Sequence, residues 1–189
     1  MKKQFTKAES LLFLKKQLGN SINIPRFIFF RKKDFFKNEN LFYKRIKVFF
    51  KNKKIILRSS SKNEDLISGS NAGKFKSFGN LKVFEKMKIL SRAREILNDF
   101  KSPLDQILVQ EFIEKPKVAG VIFTRNINDN SPYCTINYDT SGKTNLVTSG
   151  NVNPTMKTLT IFRDNIKKFI FFGKDLKILI NLEKIYKNN

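Results

Sequence analysis

The sequence predicts a single α+β domain spanning residues 1–189. Two patterns carry that expectation: stretches with helical spacing of apolar residues are interspersed with short apolar runs of strand type, and no internal repeat, coiled-coil register or low-complexity linker divides the chain. Size supports it as well. A chain of 189 residues that is 40% hydrophobic has enough apolar surface for a core, since chains of this length bury about 70% of their unfolded surface.

The first helix is signalled at both ends. Thr6 and Glu9 form an S/T-x-x-E capping box, Ala8, Leu11, Leu12, Leu14 and Leu18 mark an apolar side, and Gly19 is a stop. Residues 20–25 read as a connection and Phe27–Phe30 as a short buried strand. Leu41–Phe50 has helical spacing at Phe42, Ile46, Phe49 and Phe50. Ile55–Leu57 is a strand ending on Arg58, and Ser59–Ser77 is polar, small and irregular. Leu81–Phe100 reads as a helix with Ile89, Leu90, Ala93, Ile96 and Leu97 on one side. Strands are expected at 107–109, 118–124, 134–138 and 146–148, and a closing helix at 178–186.

Composition removes several chemistries. With no His, imidazole acid–base catalysis and phosphohistidine relays are excluded within the chain, and the single Cys134 excludes an internal disulfide or a multi-Cys zinc site. No apolar run approaches the roughly 18 residues of a membrane helix. Leu11–Leu14 is too short for a secretory core of about 7–15 residues, so a cytoplasmic protein without membrane contact is expected. The net charge of +22 suggests nucleic acid as a partner. Against this, the lysines are spread from Lys2 to Lys187 in a chain rich in Phe, Ile and Asn, as AT-rich codon usage would produce.

The Ser59–Ser77 stretch is long for a loop in a compact domain. It follows an Arg whose planar fork suits phosphate oxygens, and Gly69, Ser70, Ala72 and Gly73 would let backbone amides approach an anion. The alternative is a solvated loop with Arg58 in an ion pair. Two fragments mimic a Walker A loop and fail: Gly69–Lys74 is one residue short, and Gly142-Lys143-Thr144 lacks its upstream glycine.

RSSSKNEDLISGSNAGKFKS, from Arg58 to Ser77, resembles the RSS-x-x-x-E-D…S-x-A-G loop of the nucleotide-binding domain of phosphoenolpyruvate synthase and pyruvate phosphate dikinase. Ile107–Ile113 resembles that family's V-Q-E-hydrophobic strand and Gly120–Asn126 its G-V-x-F-T-R-[ND] strand. Ser131-Pro132-Tyr133, Ile136–Asp139 and Val147–Gly150 resemble a bacterial subgroup with a PY…INYD…VTSG pattern. Thr6–Leu11 fits the family's opening. The resemblance covers about Thr6 to Gly150 and implies an ATP-grasp fold, with two small α+β subdomains around a nucleotide cleft.

The resemblance implies ATP as cofactor and assigns roles. Lys7, at the positive start of the first helix, and Arg58 would reach the phosphates and act in transfer. Gly73 would lie in the loop closing over them. Gln110 and Glu111 would receive the adenine amine, while Phe112 and Ile113 would sandwich the ring and offer backbone groups to its edge. Arg125 would approach the phosphates, with an ion pair to Asp139 or Asp129 as the alternative. The aromatics Phe75, Phe78, Phe84 and Phe123 read as core, and Cys134 as a small apolar filler.

The family's Mg²⁺ is held by an Asp-x-Glu strand followed by Leu-Gln-x-Arg. This chain has neither, so no metal ligand is assigned, and the domain is expected to lack its last strands. The phosphohistidine domain and pyruvate-binding barrel are likewise expected elsewhere, on a second chain that would complete the activity. Three readings stay open: the ATP-binding portion of a kinase-type phosphotransferase, a non-catalytic nucleotide-binding module or truncated remnant, and a basic nucleic-acid binder.

Overall fold

A computed structural model describes residues 5–62, 76–141, 155–168 and 173–187. They form a mixed α+β structure. The chain divides into two compact units, Met1–Ile113 and Glu114–Asn189, where the sequence showed no boundary.

The first unit is a four-stranded antiparallel sheet in the order β1-β4-β2-β3, built from β1 (Phe27–Arg31), β2 (Lys54–Ser60), β3 (Ser77–Lys82) and β4 (Gln106–Glu111). Alternation along each strand separates two faces. On one face, Phe30, Ile55, Leu57, Leu81, Ile107 and Val109 meet the buried sides of three helices, α2 (Lys32–Lys37), α3 (Glu39–Phe50) and α4 (Lys86–Asn98), in one core. Phe42 anchors that core, with Phe30 and Phe35 rings set edgewise against it at 4.6 and 4.9 Å. The helical residues expected inside, Phe42, Ile46, Ile89, Leu90, Ala93, Ile96 and Leu97, are all buried.

The other face carries α1 (Lys7–Leu18) across the end where Ser60 pairs with Gln106. Covered on both sides there, Ile107–Val109 is a continuous apolar run without alternation. The capping box is present: Glu9 N–H donates to Thr6 Oγ1 at 3.2 Å, and Thr6 N–H donates to Glu9 Oε2 at 2.9 Å. Gly19 ends the helix at φ +50°. The expected apolar side is partly covered: Ala8 is buried, Leu11, Leu14 and Leu18 are half-buried and Leu12 is exposed. Polar bonds fasten the first turn as well.

The helix expected from Leu81 begins at Lys86. Leu81 instead pairs with Ile55 across the sheet and is buried in the core, so residues 81–82 belong to β3. Phe84, expected in the core, sits in the following turn and is 74% exposed, with Lys82 Nζ 5.6 Å above its ring. Phe78 packs against the core as expected. Ser59 and Ser60, expected in a loop, continue β2. The helix α2 was not foreseen.

The second unit is a three-stranded antiparallel meander, β5 (Ala119–Phe123), β6 (Tyr133–Asp139) and β7 (Lys157–Phe162), followed by a 3₁₀ turn and α5 (Gly173–Lys187). Its core joins Cys134, Ile136, Ile161, Ile166 and Leu176. Gly120 is required by close approach: a Cβ there would lie 2.7 Å from the Asn137 carbonyl oxygen. The strand β7 was missed, although Thr158, Leu159, Thr160 and Ile161 alternate polar and apolar.

Candidate functional site

The serines after Arg58 explain how the first helix is placed. Ser60 Oγ accepts from Ala8 N–H at 3.0 Å, and Thr6 Oγ1 donates to Gln106 Oε1 at 3.0 Å. The first turn of α1 is thus pinned to neighbouring residues of β2 and β4. Ser61 Oγ donates to Asp105 Oδ1 at 2.7 Å, while Ser102 N–H donates to Asp105 Oδ2 at 3.2 Å. Ser60, Ser61, Asp105 and Gln106 are all buried, so these bonds form in low dielectric where an unmet polar group is costly. Lys7 projects from the residue beside Ala8.

Arg58 lies two residues before Ser60 on β2, on the same face. Its cross-strand neighbours are Leu108 on β4 and Ser77 on β3. It is exposed, and among the described residues none accepts a hydrogen bond from its guanidinium. Gln110 pairs with Ile56, so Ile56, Arg58 and Ser60 run beside Gln110, Leu108 and Gln106 on this one face. The strand continues past Glu111, where Phe112 N–H donates to the Lys54 carbonyl at 2.9 Å. The Phe112 ring lies over Gly79, where a Cβ would come 2.8 Å from the ring. Gly79 therefore makes the hollow that seats Phe112. Sequence reasoning missed it, although a glycine inside a strand-like run is a signal of close approach.

Glu111 pairs with Lys53 Nζ at 3.1 Å, and the Ile113 side chain is exposed. Lys7, Arg58 and Gln110–Ile113 all belong to the first unit. Gly73 and Phe75 lie outside the described residues, as does Val147–Gly150.

Arg125 belongs to the second unit. Its Nε donates to Glu183 at 2.7 Å and its Nη1 to the Asn130 carbonyl at 3.2 Å. The acid it meets is Glu183 on α5, not Asp139 or Asp129. Arg163 donates to the other oxygen of Glu183 at 2.6 Å, so one carboxylate links two guanidiniums. Asp139 is fully buried and accepts from Ser141 N–H at 2.6 Å and from Thr155 Oγ1. Asp129 accepts from Ser131 N–H, which holds its carboxyl below the usual range. Cys134 is buried, and burial pushes its thiol up from the usual value; it is a packing residue, as expected.

Comparison with known proteins adds one relative at low identity. The chain is 30% identical over 125 residues to a Bacillus subtilis protein named the uncharacterized phosphotransferase YvkC. The match takes in 57% of this chain and 15% of that protein, so the chain spans a small part of its relative's length. No family model matches the chain.

Among the described residues, no three Asp, Glu or Cys side chains converge as a metal site requires, and none of the helices is long and apolar enough to cross a membrane.

Proposed function

We propose that the first unit binds ATP and is the nucleotide-binding portion of a phosphotransferase of the phosphoenolpyruvate synthase and pyruvate phosphate dikinase type. The observation that carries this reading is the bond from Ala8 N–H to Ser60 Oγ. It holds the residue next to Lys7 at the end of a sheet face that also bears Arg58 and Gln110, the residues to which this reading gives the phosphates and the adenine. The phosphotransferase name of the B. subtilis relative supports the same class.

In this reading the Arg58 guanidinium binds phosphate oxygens through charge-assisted hydrogen bonds. Lys7 adds an ammonium at the positive end of α1. Gln110 receives the adenine amine through its side chain and Glu111, whose side chain lies on the opposite face, through its backbone carbonyl, and the Phe112 ring, seated over Gly79, stacks on the base. The Phe112 N–H is already committed to Lys54, which leaves the Phe112 carbonyl and the Ile113 backbone to meet the adenine edge. Gly73 keeps its proposed place in the phosphate loop. A second chain would supply the remaining segments, and the setting is cytoplasmic.

The test is thermal unfolding with ATP. A ligand at 100 times its Kd stabilises by about 2.7 kcal/mol, so millimolar ATP raises the Tm of the unaltered chain. Arg58→Gln alters an exposed side chain and weakens ATP at least about tenfold, the size of one charge-assisted bond, while leaving adenosine binding in place. An unchanged Tm with ATP overturns the proposal. Because no carboxylate cluster stands among the described residues, a second reading is nucleotide binding without transfer. Autophosphorylation or ATP hydrolysis by the purified chain would exclude that reading.

A further inference from the structure

A cleft of about 420 Å³ opens at the Ser60–Gln106 end of the sheet, away from Gln110–Ile113, and is lined by Thr6, Glu9, Arg31, Lys62, Asp105 and Gln106 among others. Gln106 is 94% buried by its 6% exposure. Its Oε1 is used by Thr6, but among the described residues nothing accepts from its Nε2. Two N–H donors are therefore held in a lining position without an acceptor, and such groups are costly unless a ligand or water meets them. Arg31 stands on the same sheet face, directly paired with Gln106 across β1 and β4. It is exposed, and no described residue accepts from its guanidinium.

From this geometry we infer a second binding site, for a small oxyanion, in which Gln106 Nε2 and the Arg31 guanidinium donate to the ligand's oxygens. The two acids of the lining are already engaged: Glu9 Oε2 by Thr6 N–H, and Asp105 by Ser61 Oγ–H and Ser102 N–H. Their charge still opposes a dianion more than a monoanion, so the site favours a carboxylate over a phosphate. The site lies two residues beyond Arg58 along β2, about 7 Å at the usual rise of a strand. Its assignment does not rest on the nucleotide-binding reading.

The chain has four glutamines, Gln4, Gln17, Gln106 and Gln110, so selective ¹⁵N-glutamine labelling of the full chain resolves its side-chain amides. Acetate and inorganic phosphate are titrated at constant ionic strength against sodium chloride. The expected result is a saturating shift of the Gln106 amide, with a midpoint raised at least fivefold by Arg31→Gln and unmoved by Arg58→Gln. Acetate is expected to have the lower of the two midpoints, and a lower midpoint for phosphate overturns the preference for a carboxylate. ATP shifts Gln110 instead, so failure of one site is told apart from failure of the other. A Gln106 response no larger than in chloride, or unaltered by Arg31→Gln, overturns the inference.

Discussion

At the scale of single residues, the RSS sequence divides its labour. Arg58 faces outward on β2, whereas Ser60 and Ser61 are buried and hold neighbouring backbone and side chains. Ser60 receives the N–H of Ala8, one of the four amides that a helix start leaves without intrahelical partners. Removing that acceptor strands a buried donor. Ser60→Ala is therefore expected to destabilise the first unit by about 1–2 kcal/mol, read as a shift in urea midpoint. It also frees the first turn of α1, so ATP affinity falls with it; Ser61→Ala, which leaves the Ala8 bond intact, disturbs stability more than nucleotide binding. Equal loss of ATP affinity in both variants would mean that Ser60 holds nothing specific to Lys7. Gln106 was not legible in the sequence, because its importance comes from the buried hydroxyl that the distant Thr6 brings to it. Gly79 left only the signal of a glycine inside a strand-like run, and no local pattern records that the Phe112 ring fills the space above it.

Among the elements, legibility followed how locally each is specified. The first helix was readable because its start is written in Thr6 and Glu9 and its end in Gly19, all within one segment. The α3 and α4 cores were readable from spacing alone. The start of α4 was not, because Leu81 has an apolar side chain that suits either a helix or a strand, and pairing with Ile55 decides for the strand. The turn between β3 and α4 has its own fastening: Glu85 Oε2 accepts from Lys82 N–H at 2.9 Å. That bond, followed by Lys88, holds the Glu85 carboxyl below the usual carboxylate range. A lowered folded pKa contributes stability that is present above the unfolded value, near 4.5, and is lost as pH falls through the folded one. The Tm advantage of the unaltered chain over Glu85→Gln is thus expected to be full at pH 6 and to shrink toward pH 3. An advantage that stays constant across that range would show that the carboxylate charge contributes nothing. The missed strand β7 was legible after all in its alternation. Its partner β6 is distant in sequence, and the alternation spans few residues.

Over the whole molecule, the charge of +22 is the property that sequence and structure treat most differently. The sequence shows 38 basic against 16 acidic residues. The structure shows where the acids go: Glu39 to Arg94, Glu111 to Lys53, Glu183 to both Arg125 and Arg163, and Asp99 to Lys76. These acids are matched locally, and 38 basic residues against 16 acidic leave a surplus of positive charge. Such an excess repels itself in the folded state, where the charges are closest. Screening shortens the reach of that repulsion from about 30 Å at 0.01 M salt to about 10 Å at 0.1 M. Thermal unfolding in sodium chloride from low to moderate ionic strength is therefore expected to show a rising Tm, although each surface ion pair is individually weakened. A Tm that falls with salt would mean that the matched pairs outweigh the surplus. The same series with duplex and single-stranded oligonucleotides separates surplus charge from a nucleic-acid function: counterion release makes affinity fall steeply with the logarithm of salt concentration. Absence of any oligonucleotide shift, together with the rising Tm, is the outcome expected of a charge left by codon usage and not selected for binding.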